Sequence, residues 1–145
     1  MKDKISVDRL NKLHPKVRTT FRDFIEDAER EFNITLRISQ GLRTIAEQDA
    51  LYAQGRTTPG KIVTNAKGGS SYHNYGLAID LVELVGNKLG NFDMGKLKPL
   101  ADRYGLIWGG TFETLYDPPH FEITFGYKPS QLAAIAKDKY GYPMI

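Results

Sequence analysis

Ala78-Ile79-Asp80-Leu81-Val82-Glu83-Leu84-Val85 alternates along its length, which predicts a β-strand. That alternation sets Asp80 on one face with Ala78, Val82 and Leu84. A carboxylate among apolar neighbours on a strand is costly unless it is paired, hydrogen-bonded or bound to a metal. His73 stands seven residues upstream, with Gly76 between the two to permit a turn.

Downstream, Asp117-Pro118-Pro119-His120-Phe121-Glu122 opens a second alternating stretch that predicts a strand to Phe125. Phe121, Ile123 and Phe125 share one face, and His120, Glu122 and Thr124 the other. The two prolines fix the approach to His120 and hold Asp117 near it. His73, Asp80 and His120 together offer two imidazoles and a carboxylate with a fourth position open to water, the design of a catalytic zinc site. A further carboxylate would act there as general base. Plainer readings stand beside this one. Each histidine taken singly can be a hydrogen-bonded structural residue, Asp80 a capping or ion-paired carboxylate, and Glu122 a group that faces solvent or pairs with a base. His14, before Pro15, reads as a surface or capping residue. A Ser71–His73–Asp80 triad lacks any G-x-S-x-G elbow around the serine. Gly68-Gly69 lacks the G-x-x-x-x-G-K-[ST] context of a phosphate loop.

Further from the strand, Val17, Phe21, Phe24, Ile25, Ala28 and Phe32 recur at steps of three and four behind Pro15, which suits a first helical position. They predict an amphipathic helix whose aromatic stripe is core. Ile34 to Ile38 alternates as a half-buried strand. Thr44-x-x-Glu47 is a capping box ahead of Ala46, Ala50, Leu51 and Ala53, a helix that Gly55 stops. Arg43 falls at the junction of strand and helix, where a side chain can point into a cleft. Residues 55–72 read as one long loop, of the kind that is usually functional. Asp93 predicts a cap for a helix from Met94 to Tyr104, ended by Gly105. Ser130 predicts the cap of a last short helix, ended by Gly141. Helices and short strands in this order predict an α+β fold, a small antiparallel sheet flanked by helices, in one domain over residues 1–145.

The 145 residues are long enough to bury a core without disulfide or metal, and 41% hydrophobic against 26% charged residues describes a globular domain. Cysteine is absent, so thiol nucleophiles, disulfides and Cys-based zinc sites are excluded. Twenty Lys and Arg against 17 Asp and Glu leave a net charge of +3, mixed along the chain without a basic block, which points away from nucleic acid. No apolar run reaches membrane-spanning length, so no membrane insertion is expected. The charged start Met1-Lys-Asp-Lys-Ile-Ser-Val-Asp8 lacks the apolar region of a secretion signal.

Ser71-x-His73-x-x-Gly76-x-Ala78-x-Asp80 resembles the S-x-H-x-x-G-x-A-x-D signature of the zinc peptidases that cut peptidoglycan cross-peptides, a superfamily that joins D-alanyl-D-alanine peptidases, lysostaphin-type enzymes and the hedgehog N-terminal domain. Asp117-x-x-His120 is similar to the second half of their site. Gly41-Leu-Arg43-Thr-Ile-Ala46-Glu47-Gln48, with Ile62 to Gly69 and Trp108-Gly-Gly110, resembles phage-type L-alanyl-D-glutamate endopeptidases, the catalytic domains of endolysins. The resemblance, from about Leu36 to Glu122, implies one Zn²⁺ on His73, Asp80 and His120, with Asp117 as general base. It implies that Arg43 binds or polarises a substrate carbonyl or carboxylate, and that Ser71, Trp108 and Gln48 contact substrate. The implied substrate is the peptidoglycan stem peptide and the implied enzyme a monomer that cuts the L-Ala–D-Glu bond. It would be made in the cytoplasm and reach the wall through a holin or by lysis. Many such endolysins carry a wall-binding domain after the catalytic one, and none is expected in a chain that ends at Ile145. The rivals are a D-alanyl-D-alanine carboxypeptidase or dipeptidase on the same fold, and a zinc-bearing module that binds the wall without hydrolysis.

Overall fold

In the computed structural model, which describes residues 1–145, the fold is built on β2 (Ala78–Val85), the strand predicted at those bounds. It lies between β1 (Thr35–Gln40) and β5 (His120–Glu122), with β4 (Ile107–Trp108) outside β5 and the short β3 (Lys88–Leu89) folded back on its end. Every pairing is antiparallel. Helices α1 (Lys4–Leu10), α2 (Arg18–Phe32), α3 (Ile45–Ala53), α4 (Lys98–Arg103) and α5 (Pro129–Ala134) complete the expected α+β architecture.

The core lies on one face of the sheet. Phe21, Phe24, Ile25 and Ala28, the predicted stripe of α2, are fully buried with Leu36 and Ile38 of β1, Ile79 and Leu81 of β2 and Phe121 of β5. The rings of Phe24 and Phe121 lie 5.1 Å apart across that interface. Removing Phe121 to Ala would cost about 3–5 kcal/mol in transfer and cavity energy. Asp80, between Ile79 and Leu81, is thereby turned to the opposite face with His120 and Glu122, which pair around it in the register Asp80–His120 and Ala78–Glu122. The core therefore braces the site from beneath.

Helices α1 and α2 cover the free edge of β1 with polar side chains. Leu36 N donates to Glu29, Ile38 N to Ser6 Oγ at 2.8 Å, and Arg9 donates to the carbonyls of Ile38 and Ser39. These bonds pair the groups that an edge strand would otherwise leave open.

Several boundaries differ from the sequence expectations. Helix α2 starts at Arg18, because Pro15 sits in the preceding turn. The first strand runs over Thr35–Gln40 rather than Ile34–Ile38. The segment from Met94 to Tyr104 is two pieces, a 3-10 turn Met94–Leu97 and then α4, since Pro99 cannot donate the backbone bond that a continuous helix would need there. Asp93 caps its start as expected, by accepting from Gly95 N. Strand β5 ends at Glu122 instead of Phe125, whose φ of +51° takes the backbone out of the extended region. Helix α5 begins at Pro129 after Lys128, so Ser130 lies inside it, and it ends at Ala134, well before Gly141. His14 is buried: its Nδ1 accepts from Lys16 N, which leaves Nε2 to donate to Pro143 O at 2.7 Å.

Candidate active site

His73 is set by a 3-10 turn, Tyr72–Tyr75, whose start is capped by Ser71 Oγ accepting from His73 N and by Asn74 Oδ1 accepting from Ser71 N. Gly76 ends the turn at φ +70°, and a Cβ there would come within 2.6 Å of His14 N, so the signature glycine answers to backbone strain and to a close approach together. The His73 ring donates from Nδ1 to Gly41 O at 2.8 Å, which leaves Nε2 bare and 3.3 Å from Asp80 Oδ1. From the other side His120 Nδ1 lies 3.2 Å from the same oxygen, while His120 Nε2 reaches Glu122 Oε1 at 2.7 Å. His120 thus has one nitrogen fixed by a buried carboxylate and the other turned to the cluster.

The three ligand atoms of His73, Asp80 and His120 lie within 4.8 Å of one another. Two atoms on a tetrahedral centre at zinc–nitrogen or zinc–oxygen bond length stand about 3.3 Å apart, and both contacts to Asp80 match that spacing. The donor set fits a divalent ion of zinc's type, with the outer bonds to Gly41 O and Glu122 that orient histidine ligands. Burial works against ionisation of Asp80, but hydrogen bonds and charge from His120 and His73 outweigh it and hold the carboxyl well below the usual range. Burial also depresses His120, and its bonds to Asp80 and Glu122 overcome this and raise it to about 9.

Asp117 Oδ2 stands 3.8 Å from His120 Nδ1, at the rim of the cluster. Burial and then the charge of Asp80 raise its pKa, against the pull of His120, His73 and Arg43. Its loop closes on Gly109: Asp117 N donates to Gly109 O, and a Cβ at Gly109 would collide with Asp117 O. Trp108 Nε1 donates to Pro118 O at 2.6 Å, so this indole braces the loop and is not among the residues that line the cleft. Gln48 also lies outside the cleft, fully buried, accepting from Arg43 Nη1 at 2.9 Å and donating to Ala66 O at 2.8 Å. Ser71 does line it. Arg43 is 8% exposed, and its Nη2 lies 4.0 Å from Asp80 Oδ2. Burial lowers its pKa against the charges of Asp80, Glu47 and Asp117, yet an arginine remains protonated.

The cleft, of about 610 Å³, holds Arg43, Ser71, His73, Asp80, Asp117 and His120 together. Its far wall is the loop after α3, fastened to that helix by Gln48, by Asp49 accepting from Gly68 N and by Gln54 donating to Lys61 O. Among the lining residues that sequence reasoning does not single out, Glu122 and Gln40 stand against the ion cluster and Arg43. From sequence Glu122 reads as facing solvent or pairing with a base, and in the structure it is buried and that base is His120. Gln40 follows Leu36 and Ile38 in simple alternation and so reads as a core position.

The chain is 41% identical to the peptidoglycan L-alanyl-D-glutamate endopeptidase CwlK of Bacillus subtilis (strain 168) over 123 residues, 77% of this chain and 73% of that protein. This chain belongs to the same peptidase family. A family profile described as D-alanyl-D-alanine carboxypeptidase matches residues 64–123, the span that holds all three cluster residues and Asp117. The fold of the peptidase is that of the Serratia marcescens L-Ala D-Glu endopeptidase ChiX, at a TM-score of 0.62 and 24% identity over 84% of this chain and 88% of the other. It is shared by the vancomycin-resistance D,D-pentapeptidase VanY, whose structure is in complex with Zn(II), at a TM-score of 0.58 and 21% identity over 76% of this chain and 71% of that one. In this peptidase no helix is long and apolar enough to cross a membrane.

Proposed function

We propose that the chain is a monomeric, zinc-dependent hydrolase of peptidoglycan that cuts the stem peptide between L-alanine and D-glutamate. The observation that carries the reading is the His73–Asp80–His120 cluster, in which both histidines stand at tetrahedral spacing from Asp80, with Asp117 beside it. The choice of bond is supported by the identity to CwlK. His73 Nε2, Asp80 Oδ1 and His120 Nδ1 would hold the ion, and zinc there would supply a Lewis acid and a bound water of pKa about 7.

Asp117 takes the proton of the water that attacks the peptide carbonyl and returns it to the leaving amine. Its raised pKa suits a group that must carry a proton between two transfers. Arg43 spends three of its five N–H donors on Gln40 and Gln48, and the remaining two are available to an anionic oxygen of the substrate. The burial of Arg43 strengthens that contact. Glu122 keeps the His120 Nε2 proton in place, which presents Nδ1 as the ligand atom.

The profile over residues 64–123 favours a second reading, a carboxypeptidase that removes a terminal D-alanine. Mass spectrometry of purified peptidoglycan digested with and without a chelator separates the two. The endopeptidase releases stem peptides with a new amino-terminal D-glutamyl residue, only without chelator. Free D-alanine or D-alanyl-D-alanine would establish the carboxypeptidase or dipeptidase, and no product at all would leave a binding module.

A further inference from the structure

Strand β1 carries an irregularity that changes what its last residue does. Ile38 pairs with Leu81 and Gln40 with Asp80, so β1 spends two steps where β2 spends one, and Ser39 is the extra residue of a bulge. Leu36 and Ile38 are core residues, and an unbroken alternation would bury Gln40 beside them. The bulge turns Gln40 onto the face of Asp80, where it is exposed and lines the cleft. It is supported from behind: Arg9 donates to the carbonyls of Ile38 and Ser39, and Ser39 Oγ donates to Asp80 O.

Gln40 Oε1 faces Arg43 Nε and Nη2, both at 3.4 Å. Those contacts are long, and the short bond that fixes the guanidinium comes from buried Gln48 at 2.9 Å. With its oxygen turned to Arg43, the Gln40 amide has both Nε2 hydrogens available to the cleft. Arg43 is the only Arg or Lys among the residues that line the cleft, beside three carboxylates, Asp80, Asp117 and Glu122. Away from the candidate metal position, an anionic group of the substrate has one place to settle, at the Arg43–Gln40 end.

We propose that Gln40 is a specificity residue whose side-chain amide, placed by the Ser39 bulge, joins Arg43 in binding the α-carboxylate of the residue whose nitrogen the cut releases. This rests on the endopeptidase reading. A γ-linked D-glutamyl residue carries that free carboxylate next to the scissile nitrogen. Arg43 Nη2 is 4.0 Å from Asp80 Oδ2, which keeps a carboxylate bound there within one residue of the metal cluster. An amide suits this place better than an acid would, because a glutamate would neutralise Arg43 and repel the ligand.

The test is steady-state cleavage, by the zinc-loaded protein, of an N-blocked L-Ala-γ-D-Glu-L-Lys peptide and of its analogue with the glutamyl α-carboxyl amidated. Wild type prefers the free carboxylate. In Gln40→Leu the preference ratio falls about tenfold, through KM, as expected for a lost hydrogen bond to a charged group. In Gln40→Glu it falls further or inverts. The substituted position is solvent-exposed, and zinc content confirms folding of both variants. Equal losses on the two peptides, or an unchanged ratio, would overturn the proposal and leave the endopeptidase reading intact. Cleavage of neither peptide by wild type would overturn that reading and this proposal with it.

Discussion

Two carboxylates near His120 are assigned different work by their surroundings. Asp117 is more exposed and has no short hydrogen bond to the cluster, so it is free to exchange protons, whereas Glu122 is buried and held by the His120 ring at 2.7 Å. Asp117→Ala should therefore keep zinc and lose turnover by about 10²–10⁴-fold. Glu122→Ala should weaken zinc binding by about 10–100-fold, read by competition with a chromophoric chelator, and its loss of turnover should recover at higher zinc. Two members of the His73–Asp80–His120 cluster were legible in sequence because they broke the pattern around them, a carboxylate inside an apolar strand and a histidine behind two prolines, and His73 by its place seven residues before Asp80. Gln48 and Trp108 were legible only as parts of a resembling segment. Their partners, Arg43 and Pro118, belong to the tertiary fold, so nothing in local spacing shows that both act from behind the site.

Among the elements, β1 depends most on side chains from outside the sheet. Ser6→Ala leaves the buried Ile38 N–H without its 2.8 Å partner and should destabilise the protein by about 1–3 kcal/mol, measured by denaturant unfolding. Asp3 caps α1 and is hydrogen-bonded by Arg37, which outweighs burial and lowers its pKa to about 2. A carboxyl depressed in the folded state contributes stability at neutral pH that is lost as pH falls from about 4 towards 2. The wild type should thus lose more stability over that window than Asp3→Asn, and parallel curves would remove Asp3 from the acid response. Strand β2 and the capping box of α3, where Thr44 and Glu47 bond reciprocally, matched their sequence patterns because both signals are local. The bulge at Ser39 and the turned backbone at Phe125 were not legible, since each answers to a neighbour across the sheet or to the chain beyond. Helix α3 is a case of its own. Its only buried residue is Gln48, so polar bonds to the cleft wall hold it, not an apolar face.

At the scale of the molecule, the sheet separates two tasks. The core of Phe21, Phe24, Ile79, Leu81 and Phe121 occupies one face and the candidate metal cluster the other. Folding therefore does not wait on the ion. Chelation should abolish hydrolysis while far-UV circular dichroism stays unchanged, with a fall in melting temperature no larger than metal binding to the native state explains. Unfolding on chelation would instead make the metal a structural one. The central claim is that His73, Asp80 and His120 hold zinc for a reaction in which Asp117 moves the proton. Zinc content and turnover measured on the same preparations of wild type, His120→Ala and Asp117→Ala test it most directly. The expected result is one zinc per chain with turnover in wild type, zinc without turnover in Asp117→Ala, and neither in His120→Ala. Full zinc occupancy in His120→Ala, or wild-type turnover in Asp117→Ala, would contradict it.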